Sequence, residues 1–99
     1  MHRLLIKYLS IVTIAIVLTA CAAKPPVQEM AEARSAIKSA QQLDGKTPKA
    51  SLALKSAEAS LKEAADAIDL EMYEKARRKA VEAKRNAQRS ARIQQGSSR

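Results

Sequence analysis

Residues 47–68, TPKASLALKSAEASLKEAADAI, decide the fold class of the chain. Thr47 is a predicted helix N-cap, and Pro48 suits the first helical position, where a missing N–H costs nothing. The apolar side chains then recur at alternating steps of three and four, which is the spacing of one helix face. These positions are Leu54, Ala57, Leu61, Ala64 and Ile68. The stretch therefore predicts an amphipathic α-helix.

The segment before this helix shows the same periodicity and predicts another helix, from about Pro26 to Leu43. Gly45, which follows Asp44, predicts where that helix stops, because glycine readily adopts the left-handed conformation found after helix ends. The predicted apolar face consists of Met30, Ala33, Ile37 and Ala40.

A third helix is predicted from near Asp69 to about Gln94, with Asp69 as its N-cap and Glu71 in its first turn. Its predicted apolar seam is nearly all alanine and consists of Tyr73, Ala76, Ala80, Ala83 and Ala87. The residues between Ile68 and Met72 include no glycine or proline, so a single long helix from Pro48 onward remains an alternative. We favour a break, because the spacing from Asp69 to Tyr73 is typical of the turn in helical hairpins.

The fold class expected from these segments is all-α: a small antiparallel helical hairpin or a three-helix bundle, since short loops make consecutive helices antiparallel. The helical domain is expected to span residues 27–94. Residues 21–26 form a linker before it, and residues 95–99 a frayed tail. Tyr73, Met30 and Met72 are expected to fill gaps in its core.

The N-terminus has the order of a secretory signal. Arg3 and Lys7 are followed by an apolar run from Leu9 to Leu18, which is shorter than the ~20 residues of a membrane span. The run ends in Leu18-Thr19-Ala20-Cys21, which resembles the lipobox of bacterial lipoproteins.

The lipobox resemblance implies that residues 1–20 are a signal peptide, that Leu18, Thr19 and Ala20 are recognised by the signal peptidase, and that Cys21 is acylated. Several acyl chains hold a protein durably on a membrane. Alanine at position 22 implies, by the same resemblance, the outer membrane, with the protein facing the periplasm. The alternative is a free or disulfide-bonded Cys21, for which the chain offers no second cysteine.

Positive charge is concentrated in the last quarter of the chain. Residues 75–99 contain nine Lys and Arg against one acid, Glu82, whereas residues 24–74 contain seven against nine. On a helical wheel the following side chains lie opposite the alanine seam: Lys75, Arg78, Lys79, Arg85, Arg89 and Arg92. Arg77 and Lys84 flank that seam.

This basic stripe predicts binding to an anionic envelope component or an acidic envelope protein. A solvated outer face with no partner is the alternative. Nucleic acid is not expected as a partner, because the export signal argues against it and no aromatic side chains alternate with the basic ones to stack on bases.

Catalysis is not expected. The only histidine, His2, lies in the signal segment, and the only cysteine is assigned to lipid. Glu58, Glu63 and Asp66 have lysine neighbours and are expected to form a solvated face. We expect no cofactor and no metal ion.

The lipobox, the segment Met30-Ala31-Glu32-Ala33-Arg34-Ser35-Ala36-Ile37, the proline-started alanine helix and the last alanine- and arginine-rich helix resemble one protein family. It is a family of alanine-rich helical lipoproteins of Gram-negative bacteria, whose members occur alone or ahead of an OmpA-like domain. The resemblance covers about residues 18–93. The family has no assigned activity, so the resemblance implies no catalytic residues. No OmpA-like segment occurs in these 99 residues, so peptidoglycan binding is not expected of them.

Together these features predict a lipid-anchored, non-enzymatic envelope lipoprotein that presents a helical interaction surface. Two alternatives remain open. The chain could be a structural lipoprotein that self-associates through its apolar seams, as coiled coils do, or an accessory subunit of a larger envelope complex.

Overall fold

The computed structural model describes residues 2–9, 24–43 and 47–97. Within these ranges the chain is helical and contains no β-strand. Helix α1 covers residues 2–9, α2 runs Val27–Gln41, α3 runs Pro48–Asp69 and α4 runs Tyr73–Ser97. The all-α expectation is confirmed, and so is the break between the second and third predicted helices.

Helices α2, α3 and α4 form a three-helix bundle in which α2 and α4 run in the same direction and α3 runs opposite to both. Two core clusters establish this order. In one, Met30 packs with Ala64 and Ala80. In the other, Ile37 packs with Ala57 and Ala87. Residue numbers thus rise along α2 and α4 and fall along α3. Helix α4 packs against both neighbours, whereas α2 and α3 contact each other least.

The core of the bundle is built almost entirely from alanine. The predicted seam of α4 is confirmed at Ala76, Ala80, Ala83 and Ala87, each fully buried, while Tyr73 above it is half-buried. Alanine side chains are small, so helices packed through them approach closely but bury little apolar area per residue. Met30 and Ile37 on α2 are the large apolar side chains of this core.

The contact face of α3 differs from the predicted one. The structure buries its small side chains, which are Ala50, Ala53, Ala57, Ser60, Ala64 and Ala67. Of the five predicted residues, Ala57 and Ala64 are buried, whereas Leu54, Leu61 and Ile68 are half-buried and pack at the edges of the two clusters. The reason is the size of the facing residues. An alanine seam on α4 is approached most closely by alanines, so the larger side chains splay to the sides.

The start of α3 agrees with prediction. Thr47 is the N-cap, and its Oγ1 accepts a hydrogen bond from the backbone N–H of Ala50 at 3.1 Å. Pro48 occupies the first helical position. At α2, Pro26 is the N-cap residue and is itself buried. The predicted stop at Asp44-Gly45 lies outside the described residues.

The turn between α3 and α4 does not use Asp69 as a cap, so that prediction is wrong. Asp69 is the last residue of α3, and Glu71 lies in the turn at φ 58°. The N–H of Glu71 donates to the carbonyl of Ile68 at 2.9 Å, and that of Met72 donates to the carbonyl of Ala67 at 2.8 Å. This pair of bonds is a Schellman motif, which normally has glycine at the left-handed position.

The end of α4 lies further along the chain than predicted, because the helix continues to Ser97. Two buried polar side chains hold its last turns. Ser90 Oγ donates to the carbonyl of Ala50 at 2.8 Å, and Gln94 Nε2 donates to the carbonyl of Ala40 at 3.0 Å. Gln94 Nε2 also donates to Ser90 Oγ at 3.2 Å. Helix α4 is therefore tied to both α2 and α3 beside the residues predicted to fray.

Candidate functional site

The candidate site is the outer face of α4, which points away from α2 and α3. Five of the six basic residues predicted for this face are exposed: Lys75, Arg78, Arg85, Arg89 and Arg92. The sixth, Lys79, is half-buried. Ion pairs along the two edges of α4 determine which basic residues remain on its open surface.

On the edge that faces α2, both flanking cations are paired with carboxylates of that helix. Lys84 Nζ lies 2.9 Å from Glu32 Oε2, and Arg77 Nε lies 3.4 Å from Glu29 Oε1. Arg77 also donates to Glu74 one turn away. These pairs join helices, so we assign Arg77 and Lys84 to the fold.

On the edge that faces α3, Lys79 is paired in the same way. Its Nζ lies 2.9 Å from Glu63 Oε2 on α3 and 3.4 Å from Glu82 Oε2 on its own helix. Its side chain is only 29% exposed. Lys79 was predicted to lie on the open stripe opposite the alanine seam, and that prediction is wrong: the structure places it at the edge of α4 that faces α3, beside Glu63.

These contacts shift the ionisation of three groups. The hydrogen bond from Lys84, followed by one from Gln28, lowers the pKa of Glu32 below its ordinary value of 4.5. The hydrogen bond from Lys79 lowers the pKa of Glu63. The same bond and that to Glu82 raise the pKa of Lys79 above its ordinary 10.5. All three groups are therefore held in their charged forms at neutral pH.

Five basic residues remain on the outer face: Lys75 near its N-terminal end, and four arginines that follow in a row. We call Arg78, Arg85, Arg89 and Arg92 the arginine face. No salt bridge engages any of them among the residues that the structure describes. At a rise of about 1.5 Å per residue, the row is about 21 Å long. A shallow hollow around Val81 separates Arg78 from Arg85 and is also lined by Glu74, Arg77, Glu82 and Asn86.

Chemically, this arrangement is suited to binding anions. A guanidinium group stays protonated at every accessible pH and presents its N–H donors in a planar fork that matches carboxylate and phosphate oxygens. Sequence reasoning missed the partners Glu29, Glu32 and Glu63. The sequence did contain one weak indication of the α2 partners: Glu29 and Glu32 are three residues apart and so lie on one face of that helix.

The predicted acylation site, Cys21, and the peptidase residues Leu18, Thr19 and Ala20 lie outside the described residues. Lys24 is the described residue nearest to them on the C-terminal side, and it is exposed. Met30 is 3% exposed, as predicted for a core residue, whereas Met72, predicted to be in the core, is 46% exposed.

None of the helices within residues 2–9, 24–43 and 47–97 combines the length and apolar character needed to span a bilayer. Across the same ranges, no group of three or more histidine, cysteine, aspartate or glutamate residues is arranged to hold a metal ion. Compared with known proteins, the chain matches no family model, no curated protein and no solved structure.

Proposed function

We propose that this chain is a lipid-anchored, non-enzymatic envelope protein that binds an anionic partner through the arginine face of α4. The observation that carries the proposal is how unevenly the positive charge of α4 is compensated. Each cation at a helix–helix edge has a carboxylate within 4 Å, whereas the four outer arginines have none among the described residues.

The uneven compensation supports binding over a merely solvated face. A solvated surface is adequately served by mixed charges, which is what α3 has, where Lys62 lies 3.9 Å from Asp66. The outer face of α4 instead presents four cations of one residue type along one line. Aligned like charges repel one another, and an anionic ligand relieves that repulsion. The partner class is therefore an anionic envelope component or an acidic surface of an envelope protein.

Anchoring is supported by the sequence Leu18-Thr19-Ala20-Cys21 after a positive and then apolar segment. The proposed product begins at acylated Cys21, on the outer membrane and facing the periplasm. Only three residue steps separate Cys21 from Lys24 at the start of the bundle. An acyl anchor at Cys21 would keep the arginine face concentrated near the envelope surface, which raises its encounter rate with a partner located there.

The experiment is photo-crosslinking in cells from positions 85 and 89, with position 59 on the exposed side of α3 as control. The expected result is a discrete adduct from 85 and 89 and none from 59, with mass spectrometry identifying the partner. Equal labelling from all three positions would contradict a specific arginine face. An adduct between two copies of this chain would favour the self-associating structural lipoprotein instead.

A charge-matched pair of variants tests the same proposal. Arg85→Gln/Arg89→Gln removes two positive charges from the arginine face, and Lys49→Gln/Lys55→Gln removes two from exposed positions of α3. The adduct, captured from position 92, should be lost in the first variant and kept in the second. Loss in both would indicate a response to net charge alone.

A further inference from the structure

The exposed large apolar side chains of the bundle concentrate at one end. Within residues 24–43 and 47–96, four such side chains are exposed: Val27 at 72%, Leu52 at 67%, Leu70 at 71% and Met72 at 46%. Three of the four belong to the first turn of α2 or to the turn between α3 and α4. Surface leucines and methionines scattered singly need no explanation, but a group of them at one site marks an interaction surface.

A contact between helices shows that these segments share one end of the bundle. Arg77, in the second turn of α4, is paired with Glu29, in the first turn of α2. Val27 lies two residues before Glu29, and the turn with Leu70 and Met72 directly precedes α4. We call residues 24–27 together with 69–75 the tether end of the bundle.

The tether end is also where the chain leads back to Cys21. Three residue steps from Lys24 to Cys21 span at most about 11 Å, because consecutive Cα atoms are about 3.8 Å apart. An acyl chain on Cys21 would therefore bring this end to the bilayer surface. The opposite end of the bundle lies one helix length further away, about 33 Å for the 22 residues of α3.

Charge at the tether end is balanced, and this bears on the kind of contact. Lys24 and Lys75 are exposed there, and so are the acids Asp69, Glu71 and Glu74, the last of which is paired with Arg77. Neither sign dominates, so attraction to anionic headgroups is not the main force available. The main force available is the removal of apolar side chains from water, which is insensitive to headgroup charge and salt.

We infer that the tether end rests on the bilayer that holds Cys21, with Val27, Leu70 and Met72 in the headgroup region. In this orientation the N-terminus of α4 lies at the membrane surface, and the helix axis runs away from the bilayer. Arg92 is about 25 Å from Lys75 along the helix axis, which is well beyond the ~8 Å range of exposed charges in physiological salt. Arg78 is only about 4.5 Å from Lys75 along the axis, so it is Arg85, Arg89 and Arg92 of the arginine face that point to partners beside or above the membrane. This inference rests on the proposed acylation of Cys21.

The test uses the full acylated protein in zwitterionic vesicles that contain a lipid-attached quencher. With Cys21 acylated, a single new cysteine carries an environment-sensitive fluorophore, either at Asp69→Cys in the tether end or at Gln42→Cys at the opposite end; both side chains are exposed. The mass of the purified chain reports acylation independently. We expect several-fold stronger quenching at position 69 than at 42, with little change between low and high salt.

The decisive variant is Leu70→Ser/Met72→Ser, added to the position 69 label. Both side chains are exposed, so circular dichroism should show an unchanged bundle and mass spectrometry an unchanged acylated chain, while quenching at 69 falls to the level at 42. Equal quenching at both ends, or no effect of the variant, would overturn the inference with acylation intact. Self-quenching between copies in detergent would overturn it in favour of a second copy of this chain. An unacylated mass would overturn the proposed anchoring and this inference together.

Discussion

Lys84 on α4 donates a hydrogen bond to Glu32 on α2, with Nζ 2.9 Å from Oε2, across 52 positions of sequence. With the pairs of Lys79 to Glu63 and Arg77 to Glu29, it encloses the alanine core of α4 between two charged edges. The two edges join α4 to α2 on one side and to α3 on the other.

The first prediction concerns the stability of the bundle at low pH. The folded state lowers the pKa of Glu32 and Glu63 below 4.5, so their contribution to stability is fully present above that value and is lost as pH falls through the lowered pKa values. Thermal unfolding followed by circular dichroism should show a falling midpoint below about pH 4.5. Glu32→Gln/Glu63→Gln should flatten that fall. An equally steep fall in the variant would show that other carboxylates cause it.

The second prediction concerns the close approach of the helices. Ala80 is fully buried and packs with Met30 and Ala64, so Ala80→Leu forces the helices apart. We expect a loss of about 1–3 kcal/mol in the free energy of unfolding, or failure to fold. Ala59→Leu places the same side chain on the exposed side of α3 and should change stability by less than about 0.5 kcal/mol. Equal effects of both substitutions would argue against the alanine packing.

The third prediction concerns the turn between α3 and α4. Glu71 has a φ of 58°, a conformation that costs an L-residue roughly 1–2 kcal/mol. Glycine avoids this cost but gains freedom in the unfolded chain, so Glu71→Gly should stabilise the bundle by a net of about 0.5–1 kcal/mol. Urea denaturation measures the change. Glu71→Ala is the control, since it removes the charge but keeps the strained Cβ; a similar gain from it would assign the effect to charge.

The fourth prediction concerns the anchor. Cys21→Ser removes the proposed acylation site, so the chain should keep the mass of its signal peptide or appear in the soluble fraction. Cell fractionation with mass spectrometry distinguishes the forms. Ser56→Ala, an exposed change on α3, is the control for expression. Membrane fractionation with an unchanged mature mass in Cys21→Ser would show that Cys21 is not the anchor.

Local chemistry made most of the fold predictable. Thr47-Pro48 correctly predicted the start of α3, and the spacing of four alanines correctly predicted the buried seam of α4. The contact face of α3 was predicted less well, because Leu54 and Ala57 lie on the same broad arc of the helix. Which of the two meets the neighbour depends on the neighbour's side-chain size, which periodicity within one helix does not report.

The turn at Glu71 and the pairing of Lys79 were not predictable for a similar reason. Glutamate carries no preference for the left-handed conformation, so tertiary packing imposes it. The helical wheel correctly predicted that the arginine face is the exposed side of α4, but it grouped Lys79 with that face. Lys79 instead lies at the edge of α4, where it pairs with Glu63 on α3. An edge contact of this kind requires knowledge of which helices are adjacent.

The alanine core also fixes how the protein responds to temperature. The heat-capacity change of unfolding is proportional mainly to the apolar surface that becomes hydrated. Buried alanines expose little such surface, so this bundle should fall below the usual ~12–15 cal/mol/K per residue. Its free energy of unfolding should then curve less with temperature than that of an ordinary domain of the same length. Cooling below the temperature of maximum stability should therefore destabilise the bundle little.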